Sequence, residues 1–60
     1  MNEIQYNIRR QELIKEMENL INSHCRLCAK ARIRKIADLD FEYKGIDREQ
    51  TKKNLGYNKL

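Results

Sequence analysis

The stretch Leu13-Ile14-Lys15-Glu16-Met17-Glu18-Asn19-Leu20-Ile21 decides how this chain folds. Its apolar residues return at spacings of one, three, three and one, the recurrence of a helix that buries one side. At about 100° per residue, Tyr6, Leu13, Ile14, Met17, Leu20 and Ile21 share one arc, and Glu12, Lys15, Glu16, Glu18, Asn19 and Asn22 lie opposite. The pattern is that of an amphipathic helix. Its seam runs through Ile14, Met17, Ile21, His24 and Cys28, so the helix either continues through the cysteines or ends near Asn22-Ser23. Ile4 and Ile8 fall outside the arc, which leaves the first turn to pack elsewhere, meet a partner or fray.

Downstream, Ala29, Ile33, Ile36 and Leu39 fit a second, shorter helix that would pair antiparallel with the first, and Lys30, Arg32, Arg34 and Lys35 occupy its other sides. Leu39-Asp40-Phe41-Glu42-Tyr43-Lys44 alternates apolar and charged with period two, so residues 39–44 are expected to form a short strand or extended arm. Gly45 permits a turn. Asp47 is placed to cap a last helix from Arg48 to Leu55, with Gln50 where a capping box returns its hydrogen bond and Gly56 where a helix end takes a left-handed residue. Tyr57 and Leu60 follow in a tail expected to pack back. Proline is absent and both glycines lie in the last third, so nothing interrupts the backbone before Lys44. The expected fold is mainly all-α: one helical domain over residues 1–60, its long N-terminal helix packed on one or two shorter ones.

Sixty residues support only one small core, which buries roughly 60% of the unfolded surface and needs help from regular packing, a metal, a disulfide or a second chain. With 40% hydrophobic and 37% charged residues the chain has enough apolar content to fold, yet no run approaches the roughly 20 apolar residues of a membrane span. Two cysteines fall short of a secreted disulfide scaffold, and Met1 to Asn7 has neither a basic nor an apolar leader region, so a cytoplasmic protein is expected.

Cys25-Arg26-Leu27-Cys28 is the most informative local motif, because two thiolates at this spacing converge on one Zn²⁺. One chain supplies only half of a structural zinc site, since His24 adjoins Cys25 too closely to join it. Two chains supply four thiolates, as in the zinc hook of DNA-repair coiled-coil ATPases, so the metal expectation is a zinc ion shared across a homodimer through Cys25 and Cys28. The other readings are two small core residues on the helical seam, or a redox pair.

The net charge of +4 is unevenly spread: Met1 to His24 carries −1, Cys25 to Ile36 +5, Ala37 to Gln50 −3 and Thr51 to Leu60 +3. Arg26, Lys30 and Arg34 recur every four residues with Arg32 and Lys35 beside them, a cationic ridge whose self-repulsion a polyanion relieves. Asp38, Asp40 and Glu42 offer an internal alternative by folding back onto it. No Ser/His/Asp set, Gly-rich phosphate loop or His-Glu-x-x-His pattern appears, and Asp38 and Asp40 read as solvated charges rather than an acid/base pair.

The layout resembles a group of small zinc-finger proteins of Bacillus-type bacteria and their phages, in which a polar helix leads into Cys-x-x-Cys and the chain closes on Leu-Gly-x-x-Leu. Cys25, Cys28 and Leu55-Gly56-Tyr57-Asn58-Lys59-Leu60 carry the likeness, whereas the second cysteine pair of that group has no counterpart around Gly45, Ile46 and Glu49. Tyr43 to Gln50 followed by Leu55-Gly56-Tyr57 also looks like the opening of a helix-turn-helix whose recognition helix would begin after Leu60. These likenesses imply a small regulatory protein of phage type. The expected function is non-enzymatic binding of nucleic acid, chiefly DNA, or of the transcription machinery, through Arg26, Lys30, Arg32, Arg34 and Lys35, with no small-molecule substrate. The alternatives are an inhibitor or adaptor that grips a host protein through the apolar seam or Asp40-Phe41-Glu42-Tyr43, and a structural homodimer paired along Leu13, Met17 and Leu20.

Overall fold

The computed structural model describes residues 2–60. Three helices follow one another, α1 (Glu3–Asn22), α2 (Arg26–Lys44) and α3 (Arg48–Asn54), and a 3₁₀ turn over Tyr57–Lys59 closes the chain. Contacts between α1 and α2 run in reverse order: Glu3 meets Lys44, Tyr6 stacks on Tyr43, Arg10 reaches Asp40 and Glu16 reaches Arg32. The two long helices are therefore an antiparallel hairpin, and α3 packs against α2.

Both ends of α1, the end of α2 and the start of α3 have local causes. Asn2 caps α1 by accepting the Gln5 backbone N–H at 2.8 Å, while the Gln5 side chain accepts the Asn2 N–H at 3.3 Å, a capping box. At the other end α1 stops at Asn22. His24 takes a left-handed φ of 61°, which lets its own N–H reach the Ile21 carbonyl at 3.0 Å and lets the Cys25 N–H reach Leu20 at 2.9 Å. Two of the carbonyls that a helix end leaves open are thereby satisfied, although at a position that usually holds glycine. Of the two endings the spacing allowed, the one near Asn22-Ser23 is formed, and the helix does not run on through His24 and Cys28. Gly45, at φ 70°, ends α2 in a similar way by sending its N–H and that of Ile46 back to Phe41 and Asp40. Asp47 does cap α3, but it accepts from the Glu49 N–H at 3.0 Å, and the Gln50 side chain donates to Asn54 instead of closing a box.

Residues 39–44 are not extended. They form the last turns of α2, which also starts earlier than Ala29, at Arg26. The period-two alternation was a coincidence of composition. In the helix Tyr43 stacks on Tyr6 with ring centroids 4.6 Å apart, Phe41 lies under the Arg48 guanidinium at 4.1 Å, and Asp40 points into the protein. Contacts on both sides hold these residues helical, whatever their local alternation favours.

Leu13 and Met17 of α1 bury against Ala29, Ile33 and Ile36 of α2, with Leu55, Tyr57 and Leu60 closing the other side, so the tail packs back as expected. Ala29 and Ala37 are fully buried, and their small side chains let neighbouring elements approach α2 closely. Of the seam expected to pair a homodimer, Leu13 and Met17 are buried in this hairpin and Leu20 is half-buried against the same core. Ile4 and Ile8 remain outside it, 71% and 55% exposed.

Candidate nucleic-acid interface

The five cations expected to form one ridge divide into two sets. Arg32 leans back to α1, with Nε 3.1 Å from the Glu16 carboxylate. The contact is electrostatic in character, since the buried Arg32 Nε has no aligned hydrogen-bond partner. Lys35 is exposed beside a shallow groove shared with Arg9, Asp38 and Glu42. On the side of α2 that meets α3, Arg26 and Arg34 are exposed and Lys30 is half-buried, its Nζ 5.4 Å from the centre of the Tyr57 ring. Arg26, Lys30 and Arg34 make no ion pair among the described residues.

Two residues that sequence reasoning did not include join this second set. Lys52, from α3, also stands over Tyr57, at 5.2 Å, so two lysines from different helices meet on one aromatic ring. Glu49 approaches Lys52 at 3.4 Å, a one-turn pair on the surface that contributes little. Tyr57 was legible only as a tail residue that packs back. Its role as the platform joining Lys30 to Lys52 depends on where α3 docks, and no local pattern encodes that.

The acidic residues do not fold onto these cations. Asp38, one turn beyond Arg34, is held by Arg48 Nε at 2.7 Å, and the same guanidinium stacks on Phe41. Asp40 is not a solvated charge. It is 1% exposed and receives the Tyr6 hydroxyl at 2.6 Å, Arg10 Nε at 3.0 Å and Nη2 at 3.3 Å, and the Thr51 hydroxyl at 3.1 Å. One carboxylate thus ties α1, α2 and α3 together. Burial by itself would push the Asp40 carboxyl up, but the hydrogen bonds from Arg10, Tyr6 and Thr51, together with the Arg10 charge, hold it below its ordinary value. Burial, followed by the bond to Asp40, pushes the Tyr6 phenol up. Asp40 sits one helical turn after Ile36 and two after Ile33, a spacing that placed it on the core face of α2 all along.

Cys25 and Cys28 are joined as a disulfide, with Cα atoms 5.4 Å apart, in the turn between α1 and α2. They do not belong to the core, because α1 has already ended: Cys25 is half-buried at the N-cap of α2 and Cys28 is exposed in its first turn. Among the described residues no three His, Cys, Asp or Glu side chains gather where a metal ion would need them. Within one chain the pair therefore offers two ligands, and only after reduction. His24 is exposed beside them.

No helix among the described residues is long and apolar enough to cross a membrane. Comparison with family models, characterised proteins and solved structures finds no match to this chain.

Proposed function

We propose that the protein is a small non-enzymatic regulatory module, of the phage type its sequence resembles, that binds the phosphate backbone of nucleic acid. The contact surface is the α2–α3 face carrying Arg26, Lys30, Arg34 and Lys52. The observation that supports this reading is the convergence of Lys30 and Lys52 on Tyr57 beside Arg34, whose nearest acidic neighbour in sequence, Asp38, is already occupied by Arg48. Cations brought together by the fold repel one another, and a phosphate backbone relieves that repulsion by replacing small counterions. Arg32 is committed to Glu16 and supports the helix pairing, while Lys35 acts as an outlying contact.

Binding of a fluorescently labelled DNA duplex and of a single-stranded RNA, followed by anisotropy across a salt series, tests the proposal. Affinity should fall linearly on a log–log plot, by about 0.9 log units per tenfold rise in salt for each duplex phosphate engaged. Absence of binding to either probe at low salt overturns it. Capture of a protein partner with no salt dependence would favour the adaptor reading, for which Ile4, Ile8, Leu27, Phe41 and Ile46 are exposed apolar contacts.

A further inference from the structure

We propose that Cys25 and Cys28 form a reversible thiol–disulfide couple, built into the N-terminus of α2 so that the reduced state is favoured. Three independent features of the turn converge on this. The two cysteines differ in access, Cys28 being exposed and Cys25 half-buried. Cys25 occupies the N-cap of a 19-residue helix whose first N–H groups receive no side-chain cap while the disulfide is closed. Leu27, between the cysteines, is 79% exposed and contributes nothing to the core, so the turn that carries the pair presents an apolar side chain to solvent.

The chemistry follows from that asymmetry. A thiolate of an external dithiol attacks the accessible Cys28 sulfur. The Cys25–Cys28 bond breaks, and Cys25 leaves with the electron pair as a thiolate. The second thiol of the reductant then displaces Cys28 from the mixed disulfide, and Cys28 takes a proton from water. The protein disulfide gains two electrons and the external dithiol closes to its own disulfide; two glutathione molecules deliver the same two electrons in succession and leave as glutathione disulfide. Cys25 is the favourable leaving group because its thiolate is released at the N-cap, where it accepts the open N–H groups of the first turn, meets the positive end of the helix dipole and lies next to Arg26. A leaving thiol of lowered pKa departs faster, and stabilising the reduced form makes the couple easier to reduce. Closing so short a loop constrains the unfolded chain little, so the bond is better suited to exchange than to stapling the fold.

The test equilibrates the full chain in glutathione buffers of graded ratio, quenches with acid, alkylates free thiols and counts alkyl groups by mass spectrometry. The expected result is one transition, from no alkyl groups to two, inside the range the glutathione couple covers. Arg26→Glu, which leaves both cysteines in place, should shift the midpoint toward the oxidised form by about fivefold in the equilibrium constant. Arg26→Lys should restore the midpoint. Circular dichroism of each variant establishes that α2 is intact. A pair that remains closed or open through the whole series, or a midpoint unmoved by Arg26→Glu in a folded protein, overturns the proposal. Recovery of the reduced pair from non-chelating buffer with Zn²⁺ held between two chains also overturns it and assigns Cys25 and Cys28 to a shared metal site.

Discussion

The Tyr6 hydroxyl donates to the Asp40 carboxylate at 2.6 Å across 34 residues of chain, and the same carboxylate accepts from Arg10 and Thr51. In a core of few apolar residues this one acid joins all three helices. A buried carboxylate is costly unless its lone pairs are filled, and four donor groups fill them here.

Removing the charge leaves those donors facing a weaker acceptor. Asp40→Asn should destabilise the protein by about 3 kcal/mol, the usual scale for breaking a buried ion pair from one side. Tyr6→Phe, which removes a single bond to a charged group, should cost about 1.5 kcal/mol. Urea denaturation followed by circular dichroism measures both, and equal losses for the two variants would contradict the central place given to Asp40.

The shifts at Asp40 and Tyr6 bound a pH window from opposite sides. Asp40 titrates below its ordinary 3.8 in the folded protein, so its contribution is complete above that value and disappears as pH falls through the lowered folded value. Tyr6 titrates above its ordinary 10.0, so its contribution is complete below that value and disappears as pH rises through the raised one. The thermal midpoint should therefore be flat through neutral pH and fall at both ends. Asp40→Asn should soften the acid limb and Tyr6→Phe the alkaline one.

His24 pays a backbone strain at φ 61° that glycine would not. His24→Gly should stabilise the protein by about 0.5 to 1 kcal/mol, after allowing for the greater freedom of glycine in the unfolded chain. A loss of stability would mean that the exposed imidazole makes a contribution its surroundings do not reveal.

Arg34→Glu places an acid in the middle of the α2–α3 face without touching the core, since Arg34 is exposed and makes no ion pair among the described residues. It should leave the stability within about 0.5 kcal/mol of the parent and abolish duplex binding. Arg32→Gln, by contrast, loses the Glu16 pair and should cause the smaller loss of affinity of the two. Equal losses of affinity would restore the single five-residue ridge.

Much of the hairpin was legible in the sequence because helices announce themselves locally. The arc from Tyr6 to Ile21, the absence of proline before Lys44, Asp47 ahead of α3 and Gly56 after it each act over four or five residues, and each appears where the spacing placed it. The failures share a cause as well. The alternation over residues 39–44 suggested an arm because a period of two is equally local, and it was overruled by Tyr6 and Arg48, which lie far away in the chain. The end of α1 stayed open between Asn22-Ser23 and a run through the cysteines, because nothing nearby marks His24 as the left-handed residue that ends the helix.

From its own residues the sequence determined the helical class, the apolar face of α1, the turn at Gly45 with the Asp47 cap after it, and the concentration of positive charge on α2. Those properties follow from backbone preference and side-chain period, which each segment expresses without its neighbours. Only the tertiary structure decided that donors from α1 and α3 converge on Asp40, that Arg32 reaches Glu16, that Lys52 meets Lys30 on Tyr57, and that Cys25 and Cys28 close at the mouth of α2. A helical period states which residues share a side; which sides are covered, and by what, depends on the docking of α1 and α3 on either flank of α2, and that is settled by contacts between residues far apart in the chain.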